Sequence, residues 1–537
     1  MSQDQGDKKL FWACFVSLIA TSFGFIVRAN LMDTWAVQFG LSETQKGEIF
    51  GVGLWPFAIS IVLFSLIIDR IGYGVAMGFA FFCHVLYMII VIAAPNIVES
   101  GVMSGYWALY LGSFVGALGN GTIEAVINPV VATMFSKDKT KWLNILHAGW
   151  PGGLFLGGIL ALALGDTTDW RLKVGLVGIP VLIYGILMST CKFPVNERVT
   201  AGVSFRDMLK EVGLLGSFLV SVLIVFELAN VLKKFGIELG SSDIVTAFSL
   251  PVVGLIELSQ EQIVKFGIAA AISLAFGLYT FSLGRLLFVF LMMIMMPLAI
   301  TELGTDSWIT GLMGPEMKTL GLRGDYVLVY TSLIMVILRF CAGPIVHRLS
   351  PLGLLALSSA IAVVGLYSLS FATGIMILAA ATLYGIGKTF FWPTMLGVVS
   401  EQFPKGGALT LNAISGLGMM AVGILGNPLL GNVQDREIDK ALSSGNSAIH
   451  QKVVGEKKTS VFGEYRPVVP EKVQSLSKED QKYVESIQDV AKKNALTTVA
   501  LFPIGMFVCY LVLLVYFQAR GGYKPVELDS HKPAASH

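Results

Sequence analysis

Charge is what this sequence has least of. Only 14% of its 537 residues are Asp, Glu, Lys or Arg and 54% are hydrophobic, where a soluble protein carries roughly 25% charged residues. The formal net charge of +2 and the lack of any dense basic cluster give no footing for a nucleic-acid partner. Cysteine is sparse too. Cys14, Cys83, Cys191, Cys341 and Cys509 lie far apart with no CxxC or Cys/His ligand spacing, so neither a disulfide framework nor a metal site is indicated. No nucleophile–base pair or phosphate loop stands out, which argues against an enzyme and against a cofactor. The first apolar run follows Lys8-Lys9, lacks a small-residue cleavage site and continues into Arg28, Asn30 and Asp33. A discarded signal peptide would not carry those residues, so the run reads as a first transmembrane helix.

Long apolar runs are what is abundant, and the mean hydropathy is +0.72. Runs long enough to cross a bilayer fall at 10–33, 47–68, 74–94, 105–135, 145–165 and 173–191. After a polar stretch, 192–210, two more fall at 211–232 and 262–282, and six at 286–312, 325–346, 351–372, 375–400, 407–430 and 496–518. The expectation is an all-α polytopic membrane protein of about fourteen crossings. It divides into a six-helix bundle over 1–191, a linker with an inserted helix pair over 192–285, five helices of a second bundle over 286–430, an external loop over 431–495, and a last crossing with its tail over 496–537. Within the loop, Ser477-Lys478-Glu479-Asp480 reads as a helix start leading to the last crossing.

The two sets of six echo one another. Asp33-Thr34-Trp35 recurs as Asp306-Ser307-Trp308, Asp69-Arg70-Ile71-Gly72 as His347-Arg348-Leu349-Ser350, and Leu143-Asn144 as Leu411-Asn412. Gly119-Asn120-Gly121-Thr122 with Asn128-Pro129 recurs as Gly385-Ile386-Gly387-Lys388 with Trp392-Pro393. Matches in one order at similar offsets indicate duplicated halves, an architecture in which major facilitator transporters hold their solute between the halves near the midplane. Lys and Arg concentrate in alternate short loops, which places both termini in the cytoplasm and the chain in a cell (inner) membrane.

Acids and amides inside these runs are the chemical candidates, because a charge at membrane depth is costly and marks function by default. Glu124 lies inside the fourth run, with Gly119 and Gly121 before it and Asn128-Pro129 after it. Asp33 lies near the outer end of the first, with Arg28 as a candidate partner. Desolvation disfavours the charged form of a carboxylate, so such a group loads and releases a proton as access alternates. The bland alternative is a permanent salt bridge that joins helices. Glu302 and Asp306 end the run at 286–312 beside Trp308, and Lys388 sits inside 375–400 near Trp392. The lysine requires an acid, from Glu302, Asp306 or a solute, and structural pairing and solute binding stay open. Arg339 either joins that network or snorkels to the interface. Asn30, Asn128, Asn144 and Asn412, with Trp35, Trp150, Trp308 and Trp392, suit a pyranose and its hydroxyls, although single tryptophans belong more often to interfacial belts. His147 reads as a packing histidine ahead of a proton relay. Asp69, Arg70 and Arg348 sit where a cytoplasmic latch would form, with His347 in place of the second acid.

Asn30-Leu31-Met32-Asp33, Gly119-x-Gly121-x-x-Glu124-x-x-x-Asn128-Pro129 and Leu143-Asn144 together resemble the fucose–galactose–glucose symporter (fucose permease-like) family of the major facilitator superfamily. The resemblance covers the first six helices well, the last six less, and leaves out 211–282 and 431–495. It implies that the acids at Asp33 and Glu124 serve proton coupling and sugar binding, with Asn128 and Asn144 near the cavity. The expected function is import of a monosaccharide or similar polyhydroxylated solute, coupled to H+ or Na+. The alternatives are a proton-coupled efflux antiporter for a drug or metabolite and a non-transporting membrane sensor or scaffold.

Overall fold

A backbone surrounded by hydrocarbon must satisfy its own hydrogen bonds, and a helix does so within one segment. The computed structural model describes residues 3–41, 43–165, 167–241, 245–250, 254–460 and 463–528. Among these, twelve helices are long and apolar enough to span a membrane, and a pair bent by 67° supplies a thirteenth. In chain order the spans are α1 (Lys8–Phe39), α2 (Gln45–Ile71), α3 (Tyr73–Glu99), α4 (Gly105–Met134), α5 (Lys139–Leu164), α6 (Trp170–Ser189), α7 (Phe205–Lys233) and α8 (Gln260–Thr280). They continue with α9 (Leu286–Thr319), the bent α10 (Asp325–Phe340 and Ala342–Leu349) and α11 (Pro351–Phe371). The run expected at 375–400 is α12, divided into Met376–Lys388 and Phe391–Gln402. Then come α13 (Pro404–Gly445) and α14 (Lys478–Gln518). The all-α polytopic architecture is present; of the fourteen expected runs twelve form spanning helices, 325–346 is the bent pair, and 375–400 is a broken helix outside that number.

Within the first half α1 packs on α5, and α4 on both α2 and α3; within the second, α11 packs on α12 and α14. The halves meet where α2 lies against α13 and α5 against α10 and α12. The inserted α7 and α8 pack on each other, α7 also resting on α9 and α13. An antiparallel hairpin joins them, β1 (Val245–Leu250) with β2 (Gly254–Ser259), pairing Val245 with Ser259. Leu274, Leu278 and Tyr279 of α8 are exposed, as are Ile179, Leu182 and Ile186 of α6 and Val508, Val512 and Val515 of α14. Aliphatic faces of this kind on spanning helices face lipid.

The chain ends share one side. Phe11 meets the rings of Phe135 and Trp142 at 5.7 and 5.1 Å. Thr140 of α5 bonds Glu401 of α12, and the Val526 amide bonds the Glu401 carbonyl. On the opposite side α13 and α14 run well beyond the expected ends at 430 and 496. Ser477 does cap α14, accepting from the Asp480 amide at 3.1 Å. Ile438 and Leu442 of α13 pack with Val484 and Ala491 of α14 and with Ile449 and Val453 into a small separate core.

Candidate functional site

Each half has a proline that leaves a backbone carbonyl without its helical partner, inside the unbroken α4 and at the break in α12. Pro129 cannot donate to the Ala125 carbonyl four residues earlier in α4. That carbonyl accepts instead from Asn412 Nδ2 of α13, at 3.1 Å. Pro393 likewise leaves the Thr389 carbonyl free at the break in α12. Arg339 Nε of α10 donates to it at 2.6 Å. So Asn412 bridges the halves through one freed carbonyl, and Arg339 covers the other within the second half.

Between the two carbonyls lies a central cavity of about 20 Å³ lined by Glu124, His147, Trp150, Glu302, Arg339 and Trp392. It admits a water or two and no sugar, so the halves are closed around it. Its polar wall is continuous. Glu124 Oε2 accepts from Asn128 Nδ2 at 2.7 Å, and Asn128 Oδ1 accepts from His147 Nε2 at 2.9 Å. The His147 carbonyl accepts from Arg339 Nη1 at 2.6 Å, and Arg339 Nη2 bonds Glu302 Oε1 at 2.7 Å. Glu302 Oε2 accepts the Trp392 amide at 3.0 Å, one of the free N–H groups opening the second piece of α12. Glu302 occupies a π-helical turn, Ile300–Gly304, packed against a second one, Val422–Gly426. Such turns recur at functional sites.

Charge is distributed unequally. Glu302 pairs with Arg339, and behind them Asp306 pairs with Lys388, whose ammonium lies 5.1 Å from the centre of the Tyr384 ring. All four side chains are buried. Glu124 is equally buried, and no cation pairs with it among the described residues. Its partner is an amide. A charged carboxylate buried without a counter-charge is costly.

The residues singled out from sequence divide into groups. Glu124, Glu302 and Trp392 line the cavity, and Asn128 links to its wall. Asn144 Nδ2 reaches Thr394 Oγ1 of α12 at 3.1 Å, a second bond between halves. Lys388 takes Asp306, while Arg339 joins the network with Glu302. Trp308 donates to Asn427 Oδ1 at 3.1 Å, away from the cavity lining. Asn30 turns back on the Ile26 carbonyl at 3.1 Å. Asp33 stands outside the cavity, 90% exposed, with Lys46 at 2.7 Å. Its partner is therefore Lys46 and not Arg28.

On the side of the chain ends, Asp69 pairs with Arg198 of the linker at 2.5 Å, and Arg70 stacks over Phe205. Arg348 is exposed, and its neighbour His347 faces Asp138 of the first half at 3.9 Å. The closure itself uses residues the sequence did not single out. Glu401 Oε1 accepts from the Thr140 amide and hydroxyl, at 3.2 and 2.5 Å, at the start of α5. Lys139 reaches Glu197 at 2.6 Å and the Ser400 carbonyl at 3.3 Å. A Cβ on Gly397 would collide with Thr140, so only glycine lets α12 approach α5 here. The opposite side closes on apolar contact, Ile26 and Leu154 packing with Ile309, Leu312 and Leu328.

The family model described as Major Facilitator Superfamily matches residues 12–427. "Probable inositol transporter 2" of Arabidopsis thaliana is 29% identical over 161 residues, 29% of this chain and 24% of that protein's length. Solved structures agree in fold. The E. coli fucose:proton symporter FucP superposes with a TM-score of 0.52 at 15% identity, over 92% of this chain and 98% of its own. The human organic anion transporter MFSD10 gives 0.55 at 11%, over 94% and 99%.

Proposed function

The chain belongs to the Major Facilitator Superfamily, and from that premise we propose a secondary active transporter that imports a monosaccharide or similar polyhydroxylated solute with a proton or sodium ion. Glu124 carries the reading: it is a buried carboxylate in the central cavity whose hydrogen-bond partner is an amide and which, among the described residues, has no counter-cation. In a dry site it is stable either with a proton or with a bound cation, and both come from the side the cavity faces. Trp150 and Trp392 offer ring faces, and Glu302 with Arg339 offers acceptors and donors, a combination suited to hydroxyls on an apolar ring. Similarity to an inositol transporter and to the fold of a fucose symporter leans the same way.

Loading requires the halves to rock apart. Opening on the side of the chain ends breaks the Glu401–Thr140 and Lys139–Ser400 bonds; opening on the other side parts apolar surfaces. The distribution of Lys and Arg supports a cytoplasmic position for the first of these sides. Asp33, on the rim beside Lys46, would act on ion entry and not on coupling in the cavity.

The test is uptake and counterflow of labelled hexoses and inositols in proteoliposomes, at varied pH and sodium, with and without Glu124→Gln. The variant is expected to lose gradient-driven accumulation while keeping exchange. Absence of any sugar signal overturns the solute class, and labelled lipophilic cations in the same vesicles test the antiporter. Equal accumulation by the variant overturns the coupling role.

A further inference from the structure

Arg28 has no part in the mechanism above, and its surroundings are unusual. The residue is 5% exposed on α1, with its guanidinium against the rings of Phe25 and Phe50, 5.8 and 5.5 Å from their centres. Among the described residues no carboxylate pairs with it, and its Nε has no hydrogen-bond partner. The Tyr87 and Ser113 hydroxyls are also buried without partners. All three groups line one cavity of about 20 Å³ inside the first bundle. Asn120 lines it too; its Oδ1 is engaged by His84 Nε2 at 2.8 Å, which leaves its NH2 donors uncommitted. His84 Nδ1 meets the Tyr184 hydroxyl at 3.2 Å, so the imidazole is satisfied in its neutral form. A Cβ on Gly53 would strike the guanidinium, so the glycine makes room for it.

Every uncommitted group facing this space can donate, one is a fixed cation, and among the described residues no acid balances it. A buried guanidinium without a counter-charge is strongly destabilising. Water would satisfy the hydroxyls and leave the charge. We propose that this cavity binds a small monovalent anion of the halide class, held by Arg28, Tyr87, Ser113 and Asn120. The space is too small for a sugar or a carboxylate-bearing solute, so the site is separate from the transport cavity and does not rest on the sugar reading. It joins α1, α3 and α4, and bound anion would hold α4, which carries Glu124, against α1.

The test uses the purified full chain in chloride, bromide or gluconate at constant ionic strength. Halide is expected to raise Tm saturably, by a few degrees. Arg28→Gln is expected to abolish the rise, and Ser113→Ala to raise the half-saturating concentration about tenfold. Should Arg28→Gln not fold, Ser113→Ala and Tyr87→Phe still report on the site, and a bromide anomalous-scattering peak locates the ion. A Tm identical in halide and gluconate overturns the proposal. So do half-saturating concentrations unchanged in Ser113→Ala and Tyr87→Phe, or bromide bound only elsewhere.

Discussion

In the first half, Pro129 frees the Ala125 carbonyl and a neutral amide, Asn412, covers it at 3.1 Å. In the second, Pro393 frees the Thr389 carbonyl and a guanidinium, Arg339, covers it at 2.6 Å. The lesion is the same and the cover differs by one charge. A guanidinium buried at membrane depth needs an acid, and Glu302 supplies it while also taking the Trp392 amide. Asn412 imposes no such demand, so the acid of the first half, Glu124, keeps only an amide partner. So one buried carboxylate is paired with a guanidinium, and the other, among the described residues, with an amide. The polarity of a proline cover decides which is which.

The same substitution in each half puts this to the hardest test. Glu302→Gln leaves Arg339 buried without its counter-charge and is expected to cost about 3–5 kcal/mol, read as a large fall in Tm or loss of folded protein. Glu124→Gln preserves shape and a hydrogen bond to Asn128, removes no ion pair, and is expected to change stability by less than about 1 kcal/mol. Comparable losses in both variants would erase the distinction between the halves, whatever transport assays say of Glu124.

How far all this was legible in the sequence follows from the range of each interaction. The spans are local, set by about twenty consecutive apolar residues, and they emerge close to where the hydropathy puts them. Pro129 and Pro393 announce their freed carbonyls, but the residues that cover them, Asn412 and Arg339, lie on other helices, the first of them 287 positions from its acceptor. No spacing rule reaches that far; Asn412 read only as a candidate for binding a solute hydroxyl. Asp33 read as a coupling candidate because it is an acid near the outer end of an apolar run and matches a motif, and neither feature fixes how exposed the side chain is. The extensions of α13 and α14 had a readable signal in Ile438 with Leu442 and in Val484 with Ala491, a helical repeat inside an otherwise polar stretch. Arg28 read as a candidate partner of Asp33, and nothing in the sequence showed the enclosed, acid-free pocket it occupies.

A smaller effect isolates the first-half cover. Asn412→Ala strands the Ala125 carbonyl at the interface between halves and is expected to cost about 1–3 kcal/mol. Pro129→Ala returns the missing N–H, and in that background Asn412→Ala should cost little, a coupling of about 1–2 kcal/mol in the double-mutant cycle followed by Tm. The corresponding rescue should fail in the second half. Pro393→Ala restores a backbone donor to Thr389 but gives Glu302 no cation, so Arg339→Gln remains destabilising in either background. Rescue in both halves would mean that geometry alone, and not charge, separates them.

The smallest expected effect concerns the side where the chain ends lie, and there the halves differ again. Glu401 of the second half caps the start of α5, while position 137, which matches it in the first half at the offset relating Pro129 to Pro393, is a lysine. The closure therefore depends on one carboxylate, and the C-terminal segment braces it. Tyr523 donates to Glu401 Oε2 at 2.7 Å, and Gln402 donates to the Lys524 carbonyl at 2.8 Å. Burial, reinforced by the Glu401 charge, pushes the Tyr523 phenol well up from its ordinary value, so it remains a donor throughout the physiological range. Tyr523→Phe removes that one bond, worth about 1 kcal/mol, which corresponds to roughly a fivefold gain in the fraction open on this side. The gain is read as faster labelling of a single cysteine placed at Thr133 in an otherwise cysteine-free chain. Unchanged labelling would mean that the Glu401–Thr140 contact holds without its brace and that the asymmetry between the halves ends at the membrane midregion.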